Sequence, residues 1–158
     1  MNRKTVLTLI VLVMLTACAS NKNLVDTPYN RKHYVEQNLK SRSFRILIDF
    51  VKARGEANSV ALTEFWLEVD KNHVKSYLPY FGQDYKELNI KEGRRFESNI
   101  RDYMERRNDR KHYTLIQFYA NSNNDKYNYI LCIYDNGKAE IDVQADRRKS
   151  IRFSGEME

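Results

Sequence analysis

The chain is poor in the residues that break or staple a fold. Its 158 residues include two prolines, five glycines and two cysteines. So few glycines and prolines exclude collagen-like repeats and long low-complexity linkers, and favour an ordered domain. Two cysteines cannot build a disulfide scaffold. Long apolar runs are also scarce. The longest, Thr5 to Leu15, would make a helix of roughly 16 Å, about half of a hydrocarbon core, so a membrane-spanning helix is not expected. Catalytic signatures are missing too: there is no Gly-x-Ser-x-Gly elbow, no His-Glu-x-x-His pair, no phosphate loop and no dinucleotide fingerprint. His33, His73 and His112 lie far apart without metal-ligand spacing, and the carboxylates are scattered. No metal or cofactor is expected, and the balance leans away from an enzyme.

The short apolar run gains meaning from its flanks. Met1-Asn2-Arg3-Lys4 is a basic head, and Leu15-Thr16-Ala17-Cys18 closes the run. That order is a secretory signal peptide, and its end resembles a bacterial lipobox. The resemblance implies cleavage before Cys18 and acylation, for example by palmitate, of its sulfur and new amino group. Two or three acyl chains hold a protein durably where one holds it marginally. Residues 1–17 then form the signal, 18–29 a polar tether and 30–158 a single domain. No aspartate follows Cys18 directly. By analogy with lipoprotein sorting, that implies the outer membrane, and the lack of an acidic run implies its periplasmic face. The membrane, reached through the lipid, is the first expected partner.

Arg3 and Lys4 leave with the signal and lower the formal charge of +6 by two. Through the rest of the chain, basic residues are interleaved with acidic ones. The densest basic stretch is Arg94-Arg95, Arg101, Arg106, Arg107, Arg110 and Lys111, with Tyr103 and Tyr113 among them. Glu97, Asp102, Glu105 and Asp109 dilute it, so a solvated surface is favoured. Anionic headgroups or polysaccharide fit an exported protein better than nucleic acid, which is not expected as a partner.

Periodicity predicts one short helix followed by strands. Tyr34, Val35 and Leu39 suit an amphipathic helix over 30–40 with Asn30 as its cap. Phe44, Ile46, Ile48 and Phe50 then alternate with Arg45, Leu47, Asp49 and Val51. Thr63 to Asp70 and His73 to Leu78 flank Lys71-Asn72. A two-residue loop there sets Val69 against Val74, Leu67 against Ser76 and Phe65 against Leu78. The other face joins Asp70 to His73, Glu68 to Lys75 and Trp66 to Tyr77. Asn136-Gly137 signals a second hairpin within Tyr127 to Ala145. A two-residue loop places Tyr134 against Ala139, Cys132 against Ile141 and Ile130 against Val143, turning Cys132 inward and leaving its sulfur inert. His112 to Ala120 and Ser150 to Gly155 add strands, while Phe96 to Met104 fits either a helix or a strand.

Tyr77-Leu78-Pro79-Tyr80-Phe81-Gly82 resembles the signature of a family of small Bacteroides-type lipoproteins known only as a domain of unknown function. Phe96-Glu97-Ser98 and the tail from Asp146-Arg147-Arg148 through Ile151, Phe153 and Gly155 are similar as well. The resemblance implies a strand around Phe96 and an envelope setting, and it carries no activity.

The fold expected is all-β, an antiparallel barrel or sandwich of seven or eight strands with a short N-terminal helix, or alternatively α+β. Trp66, Tyr77, Tyr80 and Phe81 are the candidate binding residues: an aromatic lip for a glycan, peptide or lipid, or else a plug that closes the fold. The functional reading is a lipid-anchored, non-enzymatic binding or scaffold module of the envelope. The alternatives are an envelope-polymer hydrolase and a lipid carrier, which would require a continuous apolar cavity.

Overall fold

The structure, a computed structural model, describes residues 27–53, 60–81, 88–122, 125–146 and 150–158. The signal peptide, Cys18, most of the tether, Gly82 and Arg147-Arg148 lie outside the described residues.

The chain enters through helix α1 (Pro28–Ser41), which starts inside the expected tether. Thr27, not Asn30, is the cap: its hydroxyl accepts from the Asn30 N–H at 3.3 Å. Pro28 sits in the first turn, where its missing donor costs nothing. Arg42 ends the helix at φ 52, and its N–H reaches the Asn38 and Leu39 carbonyls. Val35 and Leu39 are buried and join the core.

Eight strands follow: β1 (Ser43–Ala53), β2 (Val60–Asp70), β3 (His73–Phe81), β4 (Leu88–Asn108), β5 (Tyr113–Ser122), β6 (Asp125–Tyr134), β7 (Lys138–Ala145) and β8 (Ile151–Met157). Each pairs antiparallel with its neighbour in sequence, and β8 returns to β1 to close a barrel. The sandwich and α+β alternatives therefore fall, and the ambiguous segment around Phe96 is strand. Among the described residues, no helix is long and apolar enough to cross a membrane.

Closure needs bends, and irregular residues supply them. The β1 register shifts between Ile48 and Phe50. Alternation breaks there, so Phe50 turns outward at 47% exposure while Val51 is buried. Glu64 in β2 and Asp102 in β4 take φ 72 and 53, and the β4–β5 register shifts between Arg101 and Met104. At Gly155 a Cβ would lie 1.8 Å from the Leu47 carbonyl oxygen. Only glycine allows β8 to lie that close to β1.

The two predicted hairpins differ. The β2–β3 register is as expected, with Asp70↔His73, Val69↔Val74 and Trp66↔Tyr77. In β6–β7 the pairing is Ile133↔Ala139, Leu131↔Ile141 and Cys132↔Glu140, one residue away from expectation. Asp135 joins Asn136 and Gly137 in a three-residue loop. The Gly137 N–H donates to the Tyr134 carbonyl at 2.9 Å, and Gly137 adopts φ 85. This is a three-residue hairpin ending in a left-handed glycine. Strand β7 keeps its predicted face, but β6 is turned over. Tyr129, Leu131 and Ile133 are buried, and Cys132 lies on the outer wall.

The barrel is filled by one cluster of buried side chains contributed by α1 and the strands, among them Ile46, Leu67, Ile116, Leu131, Ile141 and Phe153. An aromatic column runs through it. Tyr103 stacks on Phe118 at 6.4 Å, Phe118 on Tyr129 at 5.0 Å, and Phe96 meets Tyr129 at 6.4 Å and Tyr127 at 5.3 Å. The Tyr129 hydroxyl bonds to Ser76, and burial holds it protonated well above the usual range.

Candidate functional site

Trp66 and Tyr77 are directly paired across β2 and β3 on the outer side of the wall, both half-buried, with Tyr77 packed against the core cluster. The backbones of Tyr80 and Phe81 continue β3 opposite Asn89 and Leu88, and their side chains lie outside the described residues. Two of the four predicted aromatics are thus brought together, on the wall rather than at a mouth.

Pairing extends that couple into a longer row. Lys138 pairs with Glu156, Glu156 with Leu47, Leu47 with Trp66, Trp66 with Tyr77, and Tyr77 with Arg95. Because directly opposed residues point to the same face, the six form one outward row across β7, β8, β1, β2, β3 and β4. At about 4.8 Å between strands, the row covers roughly 24 Å of arc. Its centre is apolar, with Leu47 exposed at 41%, and its ends are charged.

Each ring is held in place. The Arg45 guanidinium lies 4.5 Å from the Trp66 ring centre. Its Nε is buried without a hydrogen-bond partner among the described residues, and the Glu158 carboxylate is 3.7 Å away. Tyr77 stacks on Phe65 at 5.0 Å and has the Arg95 guanidinium at 5.4 Å. It also lies over Gly93, where a Cβ would come within 2.3 Å of the ring. Beside the row, a groove of about 340 Å³ is lined by Phe50, Tyr134, Lys138, Glu140, Ser154 and Glu156 among others. Leu47 and Phe50 were missed as site residues. The available signal was an apolar Leu47 on the polar side of the β1 alternation; Phe50 was assigned inward because the bulge has no sequence mark.

A second polar centre sits where α1 meets the turns. Asp135 takes both Arg107 terminal nitrogens, at 2.6 and 2.9 Å, with Lys32 and His112 each at 3.7 Å. The Arg107 hydrogen bonds hold its carboxyl below the usual carboxylate range. Arg31 reaches the Asn136 carbonyl at 3.4 Å and Glu156 at 2.7 Å, and also bonds to the Met157 carbonyl. Tyr34 bonds to the Glu158 carbonyl. These contacts tie the helix to the barrel. They are structural bonds, with no nucleophile among them.

The remaining candidates separate. His73 bonds to Glu97 at 2.8 Å and Asn99 at 3.2 Å rather than to its hairpin partner Asp70. His33 bonds to Gln37 at 3.0 Å. Among the described residues, no group of three His, Cys, Asp or Glu side chains is placed to hold a metal ion. Cys132 faces outward beside Glu140, and burial first, then Glu140 and Asp142, push its thiol upward. A thiol held protonated is a poor nucleophile, while the inward placement expected for Cys132 is overturned by the β6–β7 register. The basic–aromatic stretch also comes apart: Tyr103 turns onto Phe118 and Arg42, and Tyr113 packs edge-on to Tyr134.

The family model for a domain of unknown function, DUF4251, matches residues 29–157. The chain belongs to the DUF4251 family. A DUF4251 family protein from Bacteroides eggerthii, solved as a crystal structure at 1.95 Å, is similar at a TM-score of 0.65 and 13% identity. The match covers 80% of this chain and 86% of that one. At that identity the likeness speaks for the DUF4251 fold alone. No curated protein matches the chain.

Proposed function

We propose that this DUF4251 protein is a lipid-anchored module of the cell envelope that binds rather than catalyses. Cys18 carries the acyl chains, and the domain sits at the periplasmic face of the outer membrane. The wall around Leu47, Trp66 and Tyr77 engages a glycan or peptide strand.

The observation that carries the reading is the six-strand row, whose apolar centre is bounded by Lys138 and Glu156 on one side and Arg95 on the other. Flat aromatic faces stack on the C–H faces of sugars or on peptide side chains, and the charged ends fix orientation. An extended polymer lying along roughly 24 Å of arc meets all of them. The core cluster occupies the described interior, which favours a binding face over a lipid-carrying cavity.

Trp66 is the single tryptophan of the chain, so its emission reports on this face alone. The full chain is titrated with soluble peptidoglycan fragments and with peptides, recording emission and melting temperature together. We expect both to change, and Tyr77→Ser to abolish both while leaving Trp66 as reporter. A ligand that raises the melting temperature without altering Trp66 emission moves the site elsewhere. No response to any envelope polymer sinks the binding reading.

A further inference from the structure

We infer that the helix-bearing end of the barrel docks on an anionic lipid surface through Arg106, Arg110 and Lys111. The inference rests on the lipid-anchor reading for its orientation and on the structure for its chemistry.

Orientation comes from chain length. Eight residues lie between Cys18 and Thr27, and the nine Cα steps from one to the other span about 30 Å at most when fully extended. The lipid surface must therefore lie within that distance of the start of α1. There, Thr27, Pro28, Arg31 and Lys32 share a cleft of about 390 Å³ with Asp135 and Asn136. The β6–β7 turn is in turn bonded to the β4–β5 turn: the Asp135 N–H donates to the His112 carbonyl at 3.0 Å, and Arg107 grips the Asp135 carboxylate. The tether and the turn at residues 108–112 thus emerge at the same end.

Charge supplies the attraction. Around the start of α1 and the β4–β5 and β6–β7 turns, four acids are ion-paired: Glu36 by Lys32, Asp109 and Asp135 by Arg107, and Glu156 by Arg31. Arg106, Arg110 and Lys111 are exposed, and none has an ion-pair partner among the described residues. Tyr29, at the tether junction, is 80% exposed, and an aromatic there suits the headgroup zone, where an apolar ring with a polar tip is favoured. Three basic side chains within a Debye length of an anionic surface strengthen partition on the order of a hundredfold at low salt.

The test uses the purified full-length acylated protein and vesicles of phosphatidylcholine with or without phosphatidylglycerol. Its binding to neutral vesicles and the acyl mass on Cys18 test the anchor by themselves. The docking surface predicts an added, salt-sensitive gain on phosphatidylglycerol. Arg106→Gln/Arg110→Gln/Lys111→Gln should lose that gain while keeping neutral-vesicle binding and melting temperature. If Cys18 carries no acyl chain, the anchor reading fails, and the same gain is still read with the unacylated chain. A gain that survives in the triple variant, or is absent from the wild type, overturns the proposal. So does a triple variant that loses binding only to a soluble polyanion, which would point to polysaccharide instead.

Discussion

The β2–β3 and β6–β7 hairpins close at the same end of the barrel, yet different forces shape them. In the first, Lys71 and Asn72 make a two-residue turn with Lys71 at φ 54. Its tertiary bonds among the described residues run through the backbone: the Lys71 N–H donates to the Arg42 carbonyl at 2.6 Å and the Ile100 N–H to the Asn72 carbonyl at 2.7 Å. Here the strand faces decide the register. In the second, the turn is part of a tertiary junction: Asp135 is gripped by Arg107, and Arg31 from α1 lies against Asn136 and Gly137. A loop fixed by neighbours takes the length that those neighbours require. The comparison teaches that a turn whose side chain is gripped by a second element is specified by that element as much as by its own dipeptide, whereas backbone bonds leave the register to the strand faces.

The largest way to break the contrast is at Gly137. Its φ of 85 is unfavourable for any side chain, and a Cβ there would sit 2.5 Å from the Arg31 Nε. Gly137→Val should destabilise the fold by about 2–4 kcal/mol, through left-handed strain and loss of the Arg31 docking. Chemical denaturation measures this; a loss below about 1 kcal/mol would show the turn to be free of the helix.

Asp135→Asn comes next, removing the charge while keeping the shape. It should cost about 2 kcal/mol near neutral pH. Because the folded carboxyl is held below its usual range, its contribution is complete above the unfolded pKa of about 3.9 and is lost as pH falls through the lower folded value. The gap between wild type and variant should therefore narrow below about pH 4. A constant gap would assign the loss to geometry instead of charge. The smallest effect belongs to the other hairpin. Lys71→Gly relieves a left-handed φ at an exposed site and should gain about 0.5 kcal/mol, read as a small rise in melting temperature. A loss there would mean that the Lys71 side chain has a partner in solution.

Legibility followed the same division. The β2–β3 register was readable because an apolar face, an opposite-charge pair and an aromatic pair all agree on it. The barrel class was readable because period-two patterning recurs through most of the chain. The outward turn of Cys132 was not, because it depends on Arg107, 28 residues away from Asp135. Likewise, Phe50 is exposed because of a bulge at Asp49, where no glycine or proline marks the chain. Of the site, the Trp66–Tyr77 couple was visible as a cross-strand pair. Its extension through Leu47 and Glu156 to Lys138 depends on the β8–β1 closure, which local sequence does not encode.

That closure bears on crowding. A protein held on a membrane meets its own copies in two dimensions, where any unpaired strand invites edge-to-edge association. In this barrel each strand has two neighbours. Strand β4 runs on past β3, pairing with it only as far as Asn99 and continuing to Asn108. That overhang carries Arg101, Asp102, Glu105, Arg106 and Arg107. Charges of both signs along the exposed stretch deny a second copy a flat template.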